Sequence, residues 1–128
     1  MLTRALITGF TGFVGSHLAD YLLRETDWKV VGMLRWRSPL DNIGHLIHDI
    51  ERGERVELRY ADLRDSSSLD EIIQNTKPDI VFHLAAQSYP VTSFSAPVDT
   101  LDTNILGTYR LLEGVRRYAP KAVVHVCA

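Results

Sequence analysis

The stretch Ala5-Leu6-Ile7-Thr8-Gly9-Phe10-Thr11-Gly12-Phe13-Val14-Gly15 decides how this chain is read. Its apolar start reads as a strand. Three of the chain's eight glycines follow, and Ser16–Arg24 then has the pattern of a helix. Strand, glycine turn and helix together form the setting in which a dinucleotide is held. Gly9 permits a tight turn. Gly12 has no Cβ, so a pyrophosphate can approach the backbone. Gly15 lets helix and strand pack closely. The helix start offers free N–H groups and the positive end of its dipole to phosphate. The spacing is Gly-x-x-Gly-x-x-Gly rather than Gly-x-Gly-x-x-Gly, and a tight βα turn without a ligand is the plainer alternative.

Outward from this stretch, apolar runs alternate with helical patterns. Strands are expected at Arg4–Thr8, Lys29–Leu34, Val56–Tyr60, Asp79–Leu84 and Ala122–Cys127. Most are continuously apolar rather than strictly alternating, as parallel strands covered on both faces are. A first helix over Phe13–Arg24 carries Val14, Leu18, Tyr21 and Leu22 on one side. A second over Ser66–Gln74 is capped by Ser66 or Ser67. The longest spans Val98–Tyr118, with Ser95 as cap, Pro97 in its first turn and Pro120 beyond its end. Leu40, Ile43, Leu46, Ile47 and Ile50 suggest a short helix around Gly44. The expected fold is α/β, a Rossmann-type doubly wound parallel sheet of about five strands in order 3-2-1-4-5.

The strand ends carry the remaining site candidates. An acidic residue closing the second strand would bind the ribose diol of NAD. Here Leu34 stands at that position, and Arg35 and Arg37 follow, a pattern that favours the 2′-phosphate of NADP. Two solvated loop arginines are the bland alternative. Asp62, before Leu63, is either an acceptor for an adenine amino group or a helix N-cap. Leu84-Ala85-Ala86-Gln87-Ser88 is a small-residue turn that could lie against a cofactor. Asn104, a poor helix former, is either exposed or reaches to a neighbouring strand end. His45 and His48 read as surface residues without a third metal ligand, and no metal is expected. His83 and His125 read as packed core-edge residues. Cys127 has no base beside it and is not read as a nucleophile.

The chain has 128 residues, 45% of them hydrophobic and 23% charged, with net charge −2. That describes one globular domain with no basic field for nucleic acid. One cysteine cannot form an internal disulfide, which favours a reducing compartment. There is no signal-like segment and no apolar run near the roughly 18 residues of a membrane span. A cytoplasmic location is the expectation.

Together, Thr8–Gly15, Asp62-Leu63, His83-Leu84-Ala85-Ala86 and Thr103-Asn104-Ile105-Leu106-Gly107-Thr108 resemble the extended short-chain dehydrogenase/reductase family. Arg35, Ala85-Ala86-Gln87-Ser88, Ser93-Phe94 with Pro97, and Leu111-Leu112-Glu113 look most like its GDP-mannose 4,6-dehydratases. The resemblance implies that Gly9, Gly12 and Gly15 form the phosphate turn, with Thr11, Phe13 and Val14 lending donors or apolar walls. It implies that Arg35 meets the 2′-phosphate and that Asp62 and Leu63 frame adenine. Leu84, Ala85, Ala86 and Ser88 would line ribose and nicotinamide, and Asn104 would brace the active-site strand. Ser88, Tyr89 and Ser93 stand as candidate substrate contacts.

The implied reaction moves hydride from C4 to C6 of a nucleotide-diphosphate sugar through NADP, with loss of water. An epimerase or 4-keto reductase on the same scaffold is the alternative. A non-catalytic NADP-binding module is the alternative of another class. Phe13-Val14 stands where many such dehydratases have Gln-Asp, as epimerases do, and Arg35–Pro39 lacks their Ser-rich continuation. Tyr118 and Lys121 are too close for the family's Tyr-x-x-x-Lys, which with its Ser/Thr is expected beyond Ala128. Residues 1–128 are therefore expected to be the N-terminal, NADP-binding part of a longer enzyme that is a homo-oligomer when whole. Alone, the chain is expected to be inactive, with Val123, Val124 and Val126 on an unprotected sheet edge.

Overall fold

The computed structural model describes residues 2–127. Ala128, after which the resemblance puts the Ser/Thr and Tyr-x-x-x-Lys, lies outside the described residues, as does Met1. Five parallel strands, β1 (Arg4–Thr8), β2 (Lys29–Leu34), β3 (Val56–Tyr60), β4 (Ile80–His83) and β5 (Val123–Val126), form one sheet in the order β3-β2-β1-β4-β5. This is the expected doubly wound order. β4 and β5 are each one residue shorter at both ends than expected. Beyond His83, the Leu84 N–H leaves the ladder and donates to Thr8 Oγ1 at 3.0 Å.

The helices cover both faces. α1 (Phe13–Glu25) packs with the 3₁₀ turn Asp41–Leu46 and α2 (Ile47–Arg52) on one side. There Ala5, Ile7, Phe10, Ala19, Val30, Ile43 and Val56 are fully buried. Phe10 lies against Gly32 of β2, where any Cβ would enter its ring. On the other side are α3 (Ser66–Thr76) and α6 (Gly107–Tyr118). Leu6, Val81, Leu69, Ile73 and Leu111 close that half of the core. Burying a side chain of this size contributes about 1.5–3 kcal/mol, so each face is held by several such contributions.

Four local expectations are corrected. The buried stripe of α1 is Gly15, Ser16, Ala19 and Leu22, while Val14 and Tyr21 are exposed. Gly15 must face the turn, which rotates Val14 outward. The cap of α3 is Asp65, not Ser66 or Ser67: its Oδ1 accepts from the Ser67 N–H at 3.0 Å and the Ser68 N–H at 3.4 Å. Ser95 caps nothing. It ends a short helix, α4 (Pro90–Ser95), that precedes α5 (Pro97–Leu101). Ala96 is pushed out of helical geometry, to φ −133° and ψ 65°, as a residue before proline commonly is. Finally, the long helix is not uniform. Between α5 and α6 the residues Asp102–Leu106 form a π-helical turn.

The histidines divide. His83 is buried, as expected. His125 is exposed instead, and stacks on Phe82 with ring centroids 5.4 Å apart. His45 has a carboxylate partner that its own segment does not contain, Asp20 at 2.7 Å from Nε2. Val123 and Val126 are exposed on β5, whereas Val124 is half-buried against the core. Among the described residues no helix is long and apolar enough to cross a membrane.

Candidate functional site

The sheet changes direction between β1 and β4, whose following helices lie on opposite faces. A cleft outside the carboxyl ends of the strands at this switch point is where such folds take ligands. Here the cleft has a volume of about 610 Å³. Its floor is the turn Gly9–Gly15. Gly9 has φ +69°, the left-handed region that favours glycine. A Cβ on Gly15 would run into the Gly9 carbonyl oxygen, so this glycine brings α1 against the turn. Gly12 is the N-cap of α1, and no side chain caps the helix there. Its first turn contains no acidic residue. The open N–H groups and positive dipole end therefore face the cleft unopposed.

The other walls come from three strand ends. β2 brings Met33, Leu34, Arg35 and Ser38; β3 brings Asp62, Leu63 and Arg64; β4 brings Leu84 to Tyr89. The structure thus brings together Gly9, Thr11, Gly12, Phe13, Val14, Gly15, Arg35, Asp62, Leu63, Leu84, Ala85, Ala86, Ser88 and Tyr89. Two candidates lie elsewhere. Ser93 donates into its own helix, to the Pro90 carbonyl, and lines no part of the cleft. Asn104 stands behind the wall. Its Oδ1 accepts from the Gln87 N–H at 2.8 Å, and its Nδ2 donates to the Gln87 carbonyl at 3.0 Å. This two-bond clamp fixes the loop after β4 from the π-helical turn.

Sequence reading missed Arg64, although it directly follows Asp62-Leu63. Arg64 Nη2 donates to Asp62 Oδ2 at 3.0 Å, and its Nη1 donates to Asp99 Oδ1 of α5 at 3.1 Å. The bond to Arg64 keeps the Asp62 carboxyl below the usual carboxylate range. Asp62 does not cap α3, which leaves its carboxylate turned to the cleft edge. A neighbouring cavity of about 480 Å³, lined by Trp36, Arg37, Pro39 and Tyr60, joins the cleft at Arg35, Ser38, Asp62 and Arg64. Asn42 Nδ2 donates to the Thr11 carbonyl at 2.9 Å and ties this loop to the glycine turn.

Behind the cleft runs a buried polar chain. Thr8 Oγ1 lies 2.8 Å from His83 Nδ1 and accepts from the Leu84 and Ala85 N–H groups, each at 3.0 Å. His83 Nε2 lies 3.1 Å from Thr108 Oγ1, which donates to the Asn104 carbonyl at 2.6 Å. Burial lowers the pKa of His83 from the ordinary 6.5. Nothing in the sequence pairs Thr8 with His83; the β1–β4 register does. Among the described residues, no group of three or more His, Cys, Asp or Glu side chains is placed to hold a metal.

Sheet order, glycine turn and cleft define a Rossmann-type domain of the epimerase/dehydratase kind. Residues 6–128 match the model of the GDP-mannose 4,6 dehydratase family, and the chain belongs to that family. A GDP-mannose 4,6-dehydratase of Vibrio cholerae serotype O1 is 46% identical over 88% of this chain and 31% of its own length. A GDP-mannose 4,6 dehydratase of Drosophila melanogaster is 42% identical over 88% of this chain and 29% of its own. The chain thus spans about a third of the length of the curated relatives it matches. Among solved structures, the UDP-glucose 4-epimerase of Thermus thermophilus in complex with NAD superposes with a TM-score of 0.72. It is 32% identical and is matched over 91% of this chain and 34% of that one.

Proposed function

We propose that this chain is the NADP-binding part of a nucleotide-sugar 4,6-dehydratase. The observation that carries the reading is the uncapped N-terminus of α1, set over Gly9–Gly15 in the switch-point cleft. The donor set fits a dinucleotide. The α1 N–H groups would take the pyrophosphate. Asp62 and Leu63 would border adenine. Leu84, Ala85, Ala86 and Ser88 would lie along the ribose and nicotinamide, with Asn104 bracing them through Gln87. Arg35 supports NADP over NAD, since β2 ends in the buried apolar Leu34 and the next residue on the cleft wall is a guanidinium rather than a carboxylate. When bound, the nicotinamide would supply hydride transfer between the cofactor and the hexose. The residues of this chain would bind and orient it. Tyr89 and Ser88, on the cleft wall, are the nearer substrate contacts; Ser93 is placed less well for that role.

The family supports a nucleotide-diphosphate sugar as substrate of the whole enzyme. The groups that move protons in its reaction would lie outside residues 1–128. An epimerase is the second reading, favoured by Phe13-Val14 at the helix start. An exposed apolar stripe, Val98, Leu101, Ile105, Tyr109 and Leu112, supports self-association of the whole protein. A cytoplasmic location accords with the single cysteine. Calorimetric titration tests the cofactor reading. The expected result is saturable NADP binding tighter than that of NAD. No binding of either dinucleotide by folded protein would sink it.

A further inference from the structure

The buried chain behind the cleft fixes where its protons sit. A hydroxyl donates once and accepts twice. Thr8 Oγ1 already accepts from the Leu84 and Ala85 N–H groups. Its own hydrogen has one acceptor left, His83 Nδ1 at 2.8 Å. Nδ1 is therefore unprotonated, and the neutral ring carries its hydrogen on Nε2. That hydrogen points to Thr108 Oγ1, whose own goes to the Asn104 carbonyl. The opposite tautomer would leave the Thr8 hydrogen without an acceptor. An imidazolium would set an Nδ1–H against a hydroxyl with no free lone pair, and an unmade bond of this kind is costly when buried.

We infer that His83 is a positioning residue, held in the neutral Nε2–H tautomer, and that a proton added to it releases Thr8 and the Leu84-Ala85 wall, so that dinucleotide affinity is lost on acidification. The inference rests on the dinucleotide reading of the cleft. It reaches both cleft walls through one ring: Thr8 precedes the glycine turn, and Thr108 leads through Asn104 to Gln87.

The surroundings leave His83 as the group that titrates. β1 presents Thr8, which is uncharged. β5 presents the uncharged Val126, the register partner of His83, and its Cys127 N–H donates to the His83 carbonyl at 3.0 Å. His125 stacks on Phe82, whose side chain belongs to the opposite face of the sheet. From the helices come Thr108 and, almost two turns further along α6 at Gly114, Asp70 of α3. Arg110 of α6 is committed to Asp102 and the Leu63 carbonyl. Burial alone lowers the pKa of His83. The unfolded chain takes up this proton near 6.5 while the folded protein stays neutral to lower pH. The stability His83 contributes is therefore full above about 6.5 and lost as pH falls from there through the folded value.

The tautomer is read without any ligand, from long-range ¹H–¹⁵N correlation spectra of the ¹⁵N-labelled protein. The expected pattern at neutral pH is an unprotonated Nδ1 and a protonated Nε2. NAD affinity is measured in parallel, because NAD has no 2′-phosphate to titrate. It should fall about tenfold per pH unit below the pH at which the His83 signals shift. Thr8→Ser should keep both tautomer and affinity, whereas Thr8→Val should keep the Nε2–H, which Thr108 still accepts, and lose affinity, because the Leu84 and Ala85 N–H groups lose their acceptor. A protonated Nδ1 at neutral pH, or an affinity unchanged while His83 takes up its proton, would overturn the inference. If NAD and NADP fail to bind even at neutral pH, the cleft reading fails. The proton arrangement then stands or falls on the ligand-free spectrum.

Discussion

At the scale of single residues, the three turn glycines are not equivalent. A Cβ at Gly12 would lie 3.2 Å from the Gly9 carbonyl oxygen and meet nothing else closer than ordinary contact. At Gly15 it would collide with the backbone of Gly9 and Phe10. Gly12→Val should therefore keep the fold and abolish dinucleotide binding, seen as an unchanged urea midpoint with no calorimetric heat. Gly15→Ala should instead cost about 1–3 kcal/mol of stability, the range of overpacked sites, and shift that midpoint down. Arg35→Ala should weaken NADP roughly ten- to a hundredfold, the value of one or two charge-assisted bonds, and leave NAD nearly unchanged. Equal losses would mean that Arg35 acts through the fold. Arg64→Ala removes the main cause of the low Asp62 pKa. Carbonyl ¹³C shifts should show Asp62 titrating higher, toward the ordinary 3.8.

At the scale of elements, what was legible followed from local chemistry. Continuous apolar runs marked most of the strands, and the alternating Val56–Tyr60 marked β3; the cleft positions of Gly9, Gly12, Gly15 and Arg35 were legible because a turn and a strand end state their needs within a few residues. Asp65 was overlooked beside three serines, although a carboxylate accepts from two N–H groups as readily as a hydroxyl. Asp65→Ala should destabilise the protein by about 1 kcal/mol in denaturant unfolding. The break at Ala96 was missed because Pro97 reads as well as a helix start as it does as the reason the preceding helix ends. Thr8–His83 and Arg64–Asp99 were illegible for another reason. They join residues 75 and 35 positions apart. Only the sheet register and the docking of α5 bring those groups together.

At the scale of the whole molecule, the central strands are covered on both faces while β5 and α4 through α6 present apolar residues outward. Phe94 is 88% exposed and Val98 77%. Ile105→Asp should lower the sedimentation coefficient of any self-associated form without changing NADP affinity, since Ile105 lines no part of the cleft. An unchanged sedimentation profile in protein known to associate would remove the stripe as the contact. The π-helical turn Asp102–Leu106 has a consequence for how this sequence can vary in length. It fits one more residue into its turn than an α-helix does. Deleting that residue would cost no core side chain, yet would swing everything upstream by about 100° around the axis. Asn104 would then point away from Gln87. At this one turn a single lost codon would thus unfasten the cleft.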